Sequence, residues 1–362
     1  MSDQNEIKLT RGVPATEAFP TEAIIECCEK ALRTYGDTLL QYQPAYGFLP
    51  LRKILAEETG AEPGQVIISN GSIQLLGFLA EILLSPGETA LVERPSYDRA
   101  ITTFRRAGMT VVDVPLEEDG LDIAALEEAV ERYNPRLLYL IPDFQNPTGI
   151  TTSRSKREAV LSLADEHGFI VVEDSPYRKL RYKGEDIPAL RQLNASRVIQ
   201  LSSFSKLLSP GIRVGWMVAA KEIVEKAVQI ATDTYITPSM LSQGIVYEFI
   251  RQGWMPNNIE RLKTLYAPKL AKMLTGLDVN IPEGSWSHPQ GGFFVGLTLP
   301  DGVSGKRLRY YAQQQNLLLS DGCGFFADGD GSRFLRLPFC ALKEYEIGEA
   351  INRLARAIKP CN

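Results

Sequence analysis

The sequence has little of what several common chemistries require. Only two histidines, His167 and His288, stand in 362 residues. That is too few for a histidine-rich metal centre and a poor supply for a serine hydrolase triad. Its five cysteines (Cys27, Cys28, Cys323, Cys340 and Cys361) are odd in number and form no C-x-x-C pair, the pattern of reduced thiols in a cytoplasmic protein. No apolar run approaches the ~20 residues of a membrane span; the best, Leu75 to Leu84, is broken by Glu81 and suits a buried helix. Positive charge is not in excess: 39 Lys+Arg stand against 44 Asp+Glu, a net −5, which argues against a nucleic-acid surface. The opening Met1-Ser2-Asp3-Gln4-Asn5-Glu6 lacks the basic-then-apolar order of a secretory leader. There is no internal repeat, and no glycine-rich dinucleotide or Walker pattern. What remains is ordinary, at 44% hydrophobic and 23% charged, and long enough for a large domain with a smaller companion.

Apolar runs of β type then alternate with helical stretches. Strands are expected at Val66–Ser69, Thr89–Glu93, Thr110–Val114, Leu137–Ile141, Phe169–Glu173, Val198–Leu201 and Val214–Ala219. Helices are expected at Thr21–Tyr35 (closed by Gly36), Ile73–Leu84, Tyr97–Ala107, Ile123–Tyr133 and Ser153–His167. Short, nearly continuous apolar strands spaced by helices indicate a sheet covered on both faces and largely parallel. The last strand follows its predecessor too closely for a crossover, so part of the sheet is expected to run antiparallel. The fold class is therefore α/β, a three-layer large domain with a mixed sheet of about seven strands. After about Ile250 the texture changes. Gly253 to Asn258 reads as a junction, and a polar helix at Ile259–Leu274 leads into a smaller α+β unit with strands near Phe293–Leu299, Leu317–Ser320 and Phe334–Leu337.

In such sheets ligands sit beyond the carboxyl ends of the strands, and the unusual residues fall there. Ser203-Phe204-Ser205-Lys206 follows one strand, with Arg213 seven residues on. A partly desolvated lysine there has a neutral amine able to form a Schiff base, while the hydroxyls and the arginine suit a phosphate. Alone, this reads more readily as a surface lysine in a serine-rich loop. Asp174-Ser175-Pro176-Tyr177 follows another strand; a carboxylate so deep needs a cationic partner or several donors, unless it only caps a helix. Asn146 precedes Pro147 in Gln145-Asn146-Pro147-Thr148-Gly149, an ordinary turn or an amide fixed over the strand end. Gly71-Ser72 opens an apolar helix, exposing N–H groups that suit an anion. Arg336 interrupts the apolar strand at Phe334–Leu337, where it needs an anionic partner, either a substrate carboxylate or a structural acid.

In their order and spacing these pieces resemble the class I/II aminotransferases, pyridoxal-phosphate (PLP) enzymes of the aspartate aminotransferase fold type, fold type I. The matches run from Gly12-Val13-Pro14 through Phe339. The texture is most similar to the branch containing kynurenine and 2-aminoadipate aminotransferases, at Leu40-Gln41-Tyr42, Glu93-Arg94-Pro95-Ser96-Tyr97 and Pro210-Gly211-Ile212-Arg213-Val214-Gly215-Trp216. The resemblance implies that Lys206 holds the cofactor as a Schiff base, Asp174 pairs with its ring nitrogen, and Asn146 and Tyr177 bond its phenolic oxygen. Tyr97 would stack on the ring, and Gly71, Ser72, Ser203, Ser205 and Arg213 would bind the phosphate. Arg336, with Asn146 and Gly12, would meet the substrate. It further implies a ping-pong transfer of an amino group from an L-amino acid to a 2-oxo acid such as 2-oxoglutarate. The assembly would be a homodimer in which Tyr42 reaches the neighbouring subunit's phosphate. No metal, membrane or nucleic-acid partner is expected.

The implied division is residues 1–36 as an arm and helix packing with the small domain, 37–252 as the large PLP-binding domain and 253–362 as the small one. Three departures stand out: Ile73 after the phosphate-binding serine, Pro338 after Arg336-Leu337, and the short stretch ahead of Gly12. The same fold and lysine also serve decarboxylases, β-lyases and amino-acid oxidases or hydroxylases, which the motifs do not separate. A PLP-sensing regulatory domain behind a DNA-binding module is the remoter alternative, and the stretch before Gly12 has no room for that module.

Overall fold

A computed structural model describes residues 6–361; most of the polar opening stretch, residues 1–5, lies outside the described residues. In chain order, β1 (Ile7–Leu9), α1 (Thr21–Leu39) and α2 (Leu49–Thr59) precede β2 (Val66–Ser69) and α3 (Ser72–Leu83). Next come β3 (Thr89–Arg94), α4 (Asp98–Arg106), β4 (Thr110–Glu117), β5 (Gly120–Leu121), α5 (Ile123–Tyr133) and β6 (Leu137–Leu140). Then follow α6 (Arg154–His167), β7 (Ile170–Asp174), the short α7 (Leu190–Leu193), β8 (Val198–Ser203), β9 (Gly215–Val218), α8 (Lys221–Tyr235) and α9 (Met240–Arg251). The long α10 (Trp254–Asn280) leads to β10 (Ser285–Trp286), β11 (Phe294–Thr298), α11 (Gly305–Gln314), β12 (Leu317–Leu319), β13 (Phe334–Pro338) and α12 (Glu344–Ile358).

Eight strands form the main sheet in the order β2-β9-β8-β7-β6-β3-β4-β5. The core from β8 to β4 is parallel, while β9 runs antiparallel to both β8 and β2. All seven expected strands are present. The eighth, β5, is two residues long and antiparallel to β4, too short to show a pattern. The unbroken apolar texture has a direct cause: Leu137 and Tyr139 of β6 point into one buried cluster, Leu138 and Leu140 into the other. A three-stranded antiparallel sheet, β10-β11-β13, and a parallel pair, β1 with β12, make up the smaller unit. There α10 packs against α12, while α1 packs against α9.

Two expectations are corrected. Helix α1 does not stop at Gly36; it kinks at Tyr35 (φ −127, ψ 16) and resumes to Leu39, because α9 offers it a continuing surface. The stretch from Gly253 to Asn258 is not an irregular junction. Gly253, at φ +74, caps α10, and Pro256 falls in its first turn, where a missing N–H costs no intrahelical bond. Elsewhere local chemistry acts as expected: Ser153 caps α6 by accepting from the Lys156 N–H, and Gly168 ends it in the left-handed region. The carboxyl ends of β3, β6, β7 and β8 thus converge on one edge of the sheet.

Candidate active site

At that edge, two glycines build a cradle. Gly71 sits at φ +113, a conformation that favours glycine, and a Cβ there would lie 2.2 Å from Arg213 Nη2. Gly215, opposite Ser203 in the ladder, leaves room for the Ser72 N–H, since its Cβ would lie 2.2 Å from that nitrogen. The start of α3 therefore presents free N–H groups beside Ser203, Ser205 and Arg213. Ser203 Oγ donates to Ser205 Oγ at 2.8 Å, and Arg213 donates to the Asn70 carbonyl at 2.8 Å. Exposed arginine, paired hydroxyls and a helix N-terminus together make a phosphate-sized anion site.

Deeper in, Asp174 ends β7. Its Oδ2 accepts from the Tyr139 hydroxyl at 2.8 Å, while its Oδ1 is buried without a partner. Burial pushes this carboxyl up to about 6, opposed by the Tyr139 bond and the charge of Lys206. An unpaired oxygen on a buried acid awaits a cation or a donor. Lys206 extends over the Tyr177 and Phe293 rings, 5.9 and 5.7 Å from their centroids, and donates to the Gly12 carbonyl at 3.1 Å. Burial lowers its pKa, and the nearby Arg336 and Arg213 lower it further, which favours the nucleophilic amine. Tyr177 is buried against Phe293 and Phe294. Tyr97, the N-cap of α4, is pushed up to about 12 by burial and by the charge of Asp174.

On the small-unit side, Arg336 lies between the rings of Phe294 and Phe325, 5.0 and 4.7 Å from their centroids. Its Nη1 donates to Asn146 Oδ1 at 3.0 Å and its Nη2 to the Thr10 carbonyl at 2.9 Å. Its Nε is buried and unpartnered, so the arginine is held by neutral acceptors and lacks the anion its burial calls for. The departure noted at Pro338 does no harm here, because Pro338 is paired with Phe294 at the end of the ladder. Cys340 donates to the Val13 carbonyl at 3.1 Å. Carbonyls of Thr10, Gly12 and Val13 thus catch Arg336, Lys206 and Cys340 respectively, and a Cβ on Gly12 would strike the Phe294 ring at 2.2 Å.

Sequence reasoning gathered Gly12, Gly71, Ser72, Tyr97, Asn146, Asp174, Tyr177, Ser203, Ser205, Lys206, Arg213 and Arg336, and these lie around one cleft. Tyr42 does not join them: it is 75% exposed. Among the aromatic residues near the domain junction, Phe325 touches Arg336; Tyr235 stacks on Phe78 and Trp254 meets Phe249, while Trp216 is buried in β9. Three residues were missed. Tyr139 looked like strand core. Cys340, read only as one of the reduced thiols, lies beside Lys206, and burial pushes its thiol up to about 12. Glu93 is fully buried at the end of β3, where Oε2 accepts from the Ile141 N–H and from Gln145 Nε2, both at 3.1 Å. Its Oε1 is unpartnered, and burial pushes it up to about 8. Gln145 in turn accepts from Thr148 N–H and Oγ1, so Glu93 anchors the loop that carries Asn146.

The group that fits carries an anion at one end, a protonatable ring nitrogen at the other and a carbonyl within reach of an amine. PLP meets these requirements: the glycine-walled cradle would take its phosphate, the free Oδ1 of Asp174 would face its nitrogen, and Lys206 would reach its aldehyde. Comparison with known proteins agrees. The profile of the family "Aminotransferase class I and II" matches residues 4–354. The 2-aminoadipate transaminase of Thermus thermophilus is 40% identical over 96% of this chain and 89% of its own length. Aromatic-amino-acid aminotransferase 1 of Thermococcus litoralis is 34% identical over 98% and 88%. The crystal structure of a Thermus thermophilus α-aminoadipate aminotransferase, complexed with N-(5'-phosphopyridoxyl)-L-leucine, superposes with a TM-score of 0.94 at 39% identity, covering 99% of this chain and 93% of the other.

Proposed function

The chain belongs to the class I and II aminotransferases and is a PLP-dependent transaminase of fold type I; from that premise we propose which residues carry the transfer, which donors it takes and how it assembles. Bound PLP supplies the electron sink for the pair left at the substrate Cα when a proton departs. Lys206 is the group that removes and returns that proton, and its burial, which lowers its pKa, favours the neutral amine that does so. Asp174 Oδ1 holds the proton on the ring nitrogen. Asn146 and Tyr177 bond the phenolic oxygen, Tyr97 covers the ring, and Gly71, Ser72, Ser203, Ser205 and Arg213 hold the phosphate. Arg336, with Gly12 and Asn146 beside it, clamps the substrate carboxylate, which replaces the neutral acceptors now on the guanidinium. The observation that carries this reading is the unpartnered Oδ1 of Asp174 in the same cleft as a lysine and an anion cradle.

For the donor we propose aromatic, branched or 2-aminoadipate-like L-amino acids, with 2-oxoglutarate as acceptor. The aromatic rings flanking Arg336 and the names of the relatives support that range. We propose a cytoplasmic homodimer with shared sites. Leu40, Tyr42 and Ile236 are exposed together, joined through the bonds between Gln43 and Thr237. Ile236 holds φ +66, costly for a β-branched residue and reasonable under a second copy. No helix among the described residues is long and apolar enough to cross a membrane. The division into an arm and helix packing with the small domain (1–36), a large domain (37–252) and a small domain (253–362) belongs to the same proposal; β1 pairing to β12 favours it for the arm, while α1 packs against α9 of the large domain.

The test is the absorption spectrum of the cofactor-loaded protein without oxygen as amino acids are added singly. Bleaching of the lysine-bound band by one donor, restored by 2-oxoglutarate, supports the reading and names the donor. Release of carbon dioxide, or recovery only in air, moves the reaction to decarboxylation or oxidation. A band that ignores every donor overturns the site assignment.

A further inference from the structure

We propose that Tyr139 is a positioning residue for the transfer: from β6, beneath the cleft, its hydroxyl keeps Asp174 ionised and turned so that one carboxylate oxygen stays free for the cofactor's ring nitrogen. The proposal rests on the assignment of Asp174 to that nitrogen made above. Tyr139 and Asp174 lie on adjacent parallel strands, with Tyr139 opposite Val172, two residues before Asp174 and on the same face. The phenol therefore reaches the carboxylate from below, 2.8 Å from Oδ2. Its ring is fully buried and packed edge-on against Phe104, 6.1 Å between centroids, so the hydroxyl has one position.

The arrangement is lopsided in a telling way. A tyrosine placed only to satisfy a buried acid would be accompanied by a second donor, yet Oδ1 has none. The groups that act on Asp174 are few. Glu173 from β7 raises its pKa and Lys206 lowers it. Glu93 from β3 is itself pushed up to about 8 by burial, so it adds little negative charge at neutral pH. Tyr97 and Tyr177 feel the charge of Asp174 as a rise in their own pKa, on top of burial, and stay neutral phenols. Tyr139 is thus the neutral donor that offsets burial. With its bond in place the acid sits at about 6, already close to neutrality. Without it, desolvation is opposed by Lys206 alone and the carboxyl's pKa rises further, towards the neutral acid. A neutral Asp174 can no longer hold the ring-nitrogen proton, and the electron sink weakens.

The experiment compares Tyr139→Phe and Asp174→Asn with the parent holoenzyme, reading kcat and KM from pH 5.5 to 9 and the cofactor dissociation constant at both ends. For Tyr139→Phe the acid limb of kcat should move up by about one pH unit, giving roughly a tenfold loss at pH 7. That loss should largely disappear at pH 9, with KM for the amino acid little changed. Cofactor affinity should fall with the same pH dependence. A ring-fluorinated tyrosine at position 139, a stronger donor of the same shape, should move the limb the other way and keeps the test valid if the phenylalanine variant folds poorly. If Asp174→Asn is impaired while Tyr139→Phe keeps the parental pH profile and loses only thermal stability, Tyr139 is structural and the proposal is overturned. If Asp174→Asn itself retains parental turnover and cofactor affinity, the assignment of Asp174 falls instead.

Discussion

Glu93 supplies a prediction whose size can be worked out. Its carboxyl is fully buried, one oxygen holding the Ile141 N–H and the Gln145 amide while the other has no partner. Burial lifts its pKa from 4.5 to about 8. Between those values the folded chain keeps a proton that the unfolded chain has lost. Its contribution to stability is therefore fully present below pH 4.5 and declines as pH rises through the window to about 8. At about 1.4 kcal/mol per unit, the loss between pH 5 and pH 8 is on the order of 3 kcal/mol. Glu93→Gln keeps an acceptor for both donors and removes the titration. The assay is the thermal midpoint of the cofactor-free parent and variant at pH 5 and pH 8. A kcal/mol moves the midpoint by roughly 2 °C in a chain of this size, so the variant should gain about 6 °C on the parent between the two pH values. A difference that is the same at both would show Glu93 ionised in the fold and refute the argument.

Other substitutions test the cleft directly. Gly215→Ala drives a methyl into the Ser72 N–H, and cofactor affinity measured by equilibrium dialysis should fall at least about tenfold. Arg336→Gln removes the charge that clamps a carboxylate; the loss of a charged pair, about 3 kcal/mol, should raise the KM of the amino acid roughly a hundredfold. Lys206→Ala should abolish the lysine-bound absorption band and lower turnover by more than about a thousandfold, which rapid-mixing spectroscopy would show.

How much of this could be read beforehand depended on where each residue's signal resides. Asp174, Lys206 and Asn146 each follow the carboxyl end of an apolar strand, where ligands bind; alone each reads as a cap, a loop or a turn, and their order and spacing, through the family resemblance, made them legible. Arg336 was legible as a charge inside an apolar strand. Tyr139 was not, because in Leu-Leu-Tyr-Leu an aromatic residue looks like any core side chain, and only the register of β6 on β7 aims its hydroxyl at Asp174. Glu93 was seen as part of a local motif, with no hint that its acid is buried. The carbonyls of Thr10, Gly12 and Val13 were invisible, since every residue has one and only tertiary structure says which matter. Gly36 misled because a glycine ends a helix only where no neighbouring surface carries the helix on.

Those three carbonyls also bear on the order in which the protein matures during synthesis. Thr10 leaves the ribosome 326 residues before its partner Arg336, and Gly12 precedes Lys206 by 194. Strand β1 must likewise wait for β12. The opening segment therefore remains without its partners while most of the chain is made, and the cleft acquires its wall only when the last elements arrive. A chain halted before β13 would have Lys206 and Asp174 but neither Arg336 nor the Thr10 contact that spans the cleft.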